Sequence, residues 1–178
     1  MRRVLVAGFL VFALTLASAA ASAQAPAQNG LSMGLVLGDP TGFTLRTGLT
    51  ERSALQAHLG FSPFPGDAMA AMVDWTYDVW DFLRDNPDVK LPLYFGIGGK
   101  AQWFTGQYYA YEYDHQHRFP DLWHFGLGVR GLVGLRASLV NAPFDLFFEL
   151  APLGILVVVP NPGFYYDVDV AIGARYRF

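Results

Sequence analysis

Alternation of apolar and polar side chains along short segments is the feature that most constrains the fold of this chain. Between its glycines and prolines, the chain contains segments that alternate with a period of two residues, the pattern of a β-strand with two unlike faces. Eight such segments are predicted as strands, at 31–38, 42–49, 54–62, 68–80, 91–104, 122–136, 143–156 and 164–178. The pattern therefore predicts an all-β domain of eight antiparallel strands.

Two of these strands are less regular than the others. Residues 69–83 also fit a helix, and Pro152 interrupts the seventh strand, where it predicts a bulge or the end of a membrane-spanning part. The connections alternate in length, and the turn at 81–90 is longer than we expect for its side of the sheet.

The polar faces of the eight strands carry twelve charges with glycines between them, whereas the opposite faces carry none in the register that we assign. The predicted charge network consists of Arg46, Asp74, Asp78, Lys100, Arg130, Arg136, Asp145, Glu149, Asp167, Asp169, Arg175 and Arg177. If these faces line the inside of a closed eight-stranded sheet, side chains fill the interior and the charges must pair, because an unpaired buried charge is costly. We therefore expect a structural core of salt bridges, with a narrow ion path as the alternative.

Periodicity does not decide which face is outside. A soluble barrel would point its apolar face inward, and a membrane barrel would point it at lipid. Aromatic residues such as Trp103 and Tyr166 lie near strand ends, where an interfacial girdle belongs. Together with the glycine-rich polar face and an alternating last segment that closes on Phe178, they favour an eight-stranded antiparallel up-and-down transmembrane β-barrel.

The first 23 residues have the organisation of a secretory signal peptide. Arg2 and Arg3 precede an apolar run over 4–16, and Ala21–Ala23 fits a signal-peptidase site. Cleavage before Gln24 would leave 24–178 as a single outer-membrane barrel domain.

Composition excludes several classes of protein. Removing the two leader arginines from 12 basic residues leaves 10 against 15 acidic ones, so the mature chain has a net charge of −5 and lacks the basic surface that a nucleic-acid partner needs. The chain contains no cysteine, which excludes disulfides and thiolate metal sites. Hydrophobic residues make up 53% and charged residues 15%, yet no mature segment has the 18 or so consecutive apolar residues of a membrane-spanning helix.

Several motifs across the mature chain resemble a family of small bacterial outer-membrane barrels of uncharacterised function, within the broad OmpA/OmpX-like group. They are Gly38-Asp39-Pro40-Thr41-Gly42, the segment 91–99, Gly128-Val129-Arg130, the segment 148–152 and the segment 171–176. The family usually has Glu where Asp39 stands and Pro within Gly131-Leu132. The resemblance implies both termini in the periplasm, outer-membrane lipid and lipopolysaccharide as surroundings, and the barrel-assembly machinery as a partner during biogenesis. Tyr176 and Phe178 resemble the insertion signal that this machinery recognises.

With this topology, the connections at 38–42, 62–67, 105–121 and 152–163 are predicted to be extracellular. The longest of them provides a possible interaction surface for an unknown extracellular ligand, formed by Tyr109, Tyr111, Tyr113, His115 and His117. His-x-His makes a metal site conceivable there, but paired histidines in a loop are usually solvated, and we expect neither a metal nor another cofactor.

The sequence thus predicts a structural or surface-interaction barrel with a plugged lumen, and not an enzyme. One type of lipid-modifying barrel enzyme has a Ser two residues from its catalytic His, but here Gly126 stands two residues after His124. The alternatives are a narrow channel for ions or small solutes, a lipid-modifying outer-membrane enzyme, and a soluble periplasmic lipocalin-like binder.

Overall fold

A computed structural model describes residues 30–62, 68–105, 123–159 and 162–178. The predicted signal peptide at 1–23 lies outside these ranges, as do Tyr109, Tyr111, Tyr113, His115 and His117. Over the described ranges, no helix is long and apolar enough to cross a membrane.

The described chain forms nine β-strands. They are β1 (Leu31–Gly38), β2 (Thr41–Gly48), β3 (Ser53–Ser62), β4 (Ala68–Asp81), β5 (Val89–Lys90), β6 (Pro92–Thr105), β7 (Trp123–Leu139), β8 (Phe144–Val159) and β9 (Gly163–Arg177). Residues 68–81 are a strand, so the helix considered for 69–83 does not form.

The strands form one antiparallel sheet that closes into a ring. Its order is β5-β7-β6-β4-β3-β2-β1-β9-β8, and β8 also pairs with β7. The first and last strands pair from Ser32 with Arg177 to Gly38 with Ala171, and the Phe178 N–H donates to the Leu31 carbonyl at 2.9 Å. The prediction of an all-β antiparallel sheet is therefore confirmed, and the ring consists of eight long strands with the two-residue β5 as an addition.

Strand β8 differs from its prediction around Pro152. The predicted connection at 152–163 is wrong in extent, because β8 continues to Val159. No bulge forms at Pro152: Leu150 pairs with Val133 and Leu153 with Arg130, so the register is the same on both sides. Only the pairings of 151 and 152 with β7 are missing, as expected for a residue without an N–H. The register shifts lie elsewhere, between Asp78 and Trp80 and between Phe125 and Gly126.

Alternating residues divide each strand between the inside and the outside of the ring. On β8, Asp145, Phe147 and Glu149 are buried, whereas the intervening Leu146 and Phe148 are exposed. Small residues admit the large inward side chains: a Cβ at Gly134 would collide with the Tyr94 ring. The ring thus buries charged side chains and exposes apolar ones.

The two ends of the ring differ in shape. At the end that holds Leu31 and Phe178, called here the base, neighbouring strands finish within a few residues of one another in the register. At the other end, called the crown, β1 pairs with β9 only as far as Ala171, while β9 continues for eight more residues, 163–170, beside β8. The crown therefore slopes from its lowest point at the β1–β2 turn to its highest point at β8 and β9.

The β1–β2 turn satisfies most of its own hydrogen bonds. The Thr41 hydroxyl donates to the Gly38 carbonyl at 2.9 Å and accepts from the Gly38 N–H at 3.1 Å. The Asp39 N–H donates to the Val170 carbonyl at 2.9 Å, and Pro40 has no N–H to satisfy. Gly38 has a φ of 121°, which favours glycine at this position.

Candidate functional site in the barrel interior

Inward residues from seven of the eight long strands, together with Asp39 from the β1–β2 turn, meet in the ring and form three groups between crown and base. Of the twelve charges predicted from the sequence, Arg46, Asp74, Lys100, Arg130, Asp145, Glu149, Asp169 and Arg175 are buried. Asp78, Arg136, Asp167 and Arg177 are partly buried. All twelve residues lie on inward faces, because each is an even number of positions away from the buried residues of its own strand.

The crown group pairs two cations with three carboxylates. Lys100 Nζ lies 3.1 Å from Asp39 Oδ1 and 2.7 Å from Asp169 Oδ1. Arg130 bridges to Asp169 Oδ2 at 2.9 Å and to Asp74 Oδ1 at 3.3 Å. Lys100 therefore joins the β1–β2 turn to β9, and Arg130 joins β9 to β4.

Carboxylate oxygens of Asp39, Asp167 and Asp169 lie within 4.8 Å of one another, a spacing that a metal ion could use. The Lys100 ammonium already reaches two of them, so it supplies the positive charge there. Asp167 makes no ion pair with any residue that the structure describes; its Oδ1 instead accepts the N–H of Val168 at 2.8 Å. The geometry is that of an ammonium held by carboxylates.

The central group is built around Glu149. Its Oε1 accepts hydrogen bonds from the Tyr94 hydroxyl at 2.6 Å and from Gln56 Nε2 at 2.9 Å. Arg175 Nη2 lies 3.9 Å from Oε1, and His58 Nε2 lies 3.6 Å from Oε2. One buried carboxylate is thus held by four side chains from three other strands, β3, β6 and β9.

Arg175 is fixed chiefly by neutral groups. Its Nε donates to Thr44 at 2.9 Å and its Nη2 donates to Gln56 at 3.2 Å. Its guanidinium lies over the Phe147 ring at 3.8 Å from the ring centroid, within the range of a cation–π contact.

The base group surrounds Asp78. Arg136 lies 2.6 Å from Asp78 Oδ2, and Arg46 lies 3.7 Å from Asp78 Oδ1. Both guanidiniums flank the Tyr94 ring, at 5.7 and 5.8 Å from its centroid, so Tyr94 links this group to Glu149. Nearest to the base, Arg177 Nε lies 3.4 Å from Asp145.

Sequence reasoning missed several members of this interior, among them Asp39, Gln56, His58 and Tyr94. Gln56, His58 and Tyr94 have the inward parity of their strands, a signal that the sequence contains but that a search for charged residues passes over. Asp39 lies in a predicted turn, where an inward side chain is not expected, yet its carboxylate reaches inward to Ser62 and Lys100.

Two further predicted features can be located. The His124 ring is buried and stacks on Phe104 with centroids 5.0 Å apart. Tyr176 and Phe178, predicted as an insertion signal, lie on the outer face, where their rings meet edge to face at 5.0 Å.

Comparison with known proteins adds no identification: no protein-family model matches the chain, and a search of curated proteins gives no match.

The ion pairs of the interior join nearly all of its described charges. Six cations (Arg46, Lys100, Arg130, Arg136, Arg175 and Arg177) stand against six paired carboxylates (Asp39, Asp74, Asp78, Asp145, Glu149 and Asp169), with Asp167 as a seventh carboxylate. This pairing fixes side chains against one another, and the inward charges of the described residues do not form a ring of one sign that could select ions.

Proposed function

We propose that this protein is a small bacterial outer-membrane β-barrel with a charge-paired plug, acting as a structural or surface-interaction protein through its outer connections. One observation carries the proposal: charged side chains are buried inside the ring while Leu, Val, Ile and Phe side chains cover its outside. In water such a surface would aggregate, whereas in a bilayer it is the expected arrangement.

The spacing of outer aromatic residues supports this environment. On β9, Tyr166 and Tyr176 are ten residues apart and both are exposed. At about 3.3 Å per residue and a tilt of ~40°, they are separated by ~25 Å along the barrel axis, the height of the apolar band of outer-membrane barrels. Trp103 and Trp123 lie near the crown, whereas Tyr77 and Phe144 lie near the base.

A soluble lipocalin-like binder would have the reverse arrangement, with an apolar inner face around its ligand. The inner face here holds six paired cations, which supports the membrane proposal over that alternative. The same pairing supports a plug over a channel, because ions would have to displace salt bridges in order to pass.

Location and orientation follow from this proposal. The leader at 1–23 would direct export, the base would face the periplasm, and the crown would face outward among lipid and lipopolysaccharide. Tyr176 and Phe178 would then be presented to the assembly machinery from the last strand. The tyrosines and histidines between 105 and 121 stay a predicted contact surface.

The test is cell fractionation combined with gel mobility before and after boiling. We expect recovery in the outer membrane and faster migration of the unboiled protein, because a closed barrel resists detergent unfolding. Reconstituted protein should show no unitary conductance in a planar bilayer. A soluble periplasmic protein of unchanged mobility would overturn the membrane assignment, and a regular conductance would replace the plug with a channel.

A further inference from the structure

The heights of opposite walls of the barrel do not match a single membrane thickness. Strand β1 is eight residues long, whereas β6, on the opposite side of the ring, is 14 residues long. With the same rise and tilt these lengths correspond to ~20 Å and ~35 Å, against an apolar band of about 25 Å. The wall at β1 is therefore shorter than the apolar band, and the opposite wall is taller than the band.

The base shows that the shortness of β1 arises at the crown. Leu31 pairs with Thr47, Gly48 with Ala54, and Phe144 with Tyr176, so these strands finish within about one residue of one another, whereas β4 runs four residues past the pair Ser53–Tyr77. With no deficit at its base end, β1 starts at the same depth in the inner leaflet as its neighbours. The height that β1 lacks relative to the apolar band is then missing in the outer leaflet, beside the β1–β2 turn.

The turn is suited to a place where headgroups and hydrocarbon meet. Its backbone groups are bonded internally or to β9, so little is left unpaired toward lipid. Two of its side chains are nonetheless polar: Asp39 faces inward to Lys100, and Thr41 is exposed. A polar tip at this level draws lipid headgroups down toward it and excludes acyl chains from above it.

We propose that the barrel thins the outer leaflet locally beside β1 and β2, so that its partner on this side is a depressed patch of lipid. This inference rests on the proposed membrane location. The shortfall of ~5 Å is within the range that bilayers accommodate by thinning, at fractions of a kcal/mol per Å of mismatch.

The chain has no cysteine, so a single introduced cysteine places a spin label at one chosen site. Leu37 on β1 and Ile97 on β6 form a matched pair on opposite walls, with exposures of 61% and 59%. Leu37 lies six residues above the first residue of β1, and Ile97 lies five above the first residue of β6. In a flat bilayer, labels at these two sites would lie at nearly the same depth.

The experiment compares Leu37→Cys and Ile97→Cys, each labelled with a nitroxide, in vesicles of phosphatidylcholine with 18-carbon monounsaturated chains. Depth is measured from collisions with oxygen and with a water-soluble nickel chelate. We expect the label at 37 to be shallower than the label at 97 by ~5 Å or more, with a several-fold greater nickel accessibility. Equal depths would overturn the proposal.

A second pair separates thinning from tilting of the whole barrel. Leu49 follows β2 and Val140 follows β7, on opposite sides of the base, with exposures of 54% and 48%. Thinning predicts equal depths for labels at these two sites. A depth difference opposite in sense to that of the first pair would mean that the barrel tilts and would refute the thinning.

Failure of the proposed membrane location has a different signature. If the protein does not insert, the label at 97 will show no preference for oxygen over nickel, and the unboiled protein will not migrate faster than the boiled one. Heat-modifiable mobility of each labelled variant also verifies that the substitution has not prevented folding.

Discussion

Glu149 shows most clearly how single residues hold this interior together. Its carboxylate accepts hydrogen bonds from Tyr94 and Gln56 and lies near Arg175 and His58. The sequence placed Glu149 on a polar face but could not identify these partners, because parity along a strand defines a face and not a height. Tyr94 is 55 positions away along the chain and Gln56 is 93 away, and only the register brings them together.

Replacing Glu149 by Ala should destabilise the barrel by about 3–5 kcal/mol, since it leaves Arg175 buried without a carboxylate. Glu149→Gln preserves the size of the side chain and separates the loss of charge from the loss of packing. Urea unfolding in lipid vesicles measures both variants, and Glu51→Ala in the exposed β2–β3 turn is the control, expected within about 0.5 kcal/mol of the parent. A Glu149→Ala variant as stable as this control would contradict the central role of the carboxylate.

Gly134 and Gly131 offer a matched test of interior crowding on one strand. A Cβ at Gly134 would collide with the Tyr94 ring, whereas a Cβ at Gly131 would meet nothing within 4 Å. Gly134→Val should therefore cost about 1–3 kcal/mol or more through overpacking, and Gly131→Val should be nearly neutral. The urea midpoints of unfolding of the two variants measure this difference in stability. Equal midpoints would show that the interior has room for a side chain at Gly134.

At the scale of whole elements, the alternating pattern located the long strands to within a few residues. It could not predict β5, because two residues have no periodicity of their own and this strand exists only through pairing with Ser138 and Leu139. It predicted a strand through Pro152, at 143–156, but could not predict that pairing with β9 continues there while pairing with β7 lapses. Both features depend on neighbouring strands.

Strand β9 also provides a test of which face meets lipid. Ile172 is exposed and lies near the middle of the interval between Tyr166 and Tyr176, whereas Val159 ends β8 at the crown. Ile172→Arg should cost about 2–4 kcal/mol and lower the yield of folded protein in vesicles, while Val159→Arg should cost about 0–1 kcal/mol. If both arginines are tolerated equally, the outer face of β9 does not lie in hydrocarbon.

For the whole molecule, the proposed plug depends on the pairing of opposite charges in the interior. Lys100 and Arg130 supply the positive charge at the crown, between Asp39, Asp74 and Asp169. The double variant Lys100→Ala/Arg130→Ala should leave a net negative constriction and produce a cation-selective leak. Single-channel recording with a salt gradient measures it, on protein whose unboiled form still migrates faster. A variant that folds and remains silent would show that packing blocks the path and that charge pairing does not.

The pairing of β1 with β9 means that the sheet closes only when two strands far apart in the sequence meet. Ser32 and Arg177, which face each other at the closing seam, are 145 positions apart in the chain. Until β9 pairs with β1, each of these strands has an open edge, and an open edge is a template for pairing with other chains. The backbone hydrogen bonds of the seam form only when the two strands meet, so closure of the ring removes both edges at once.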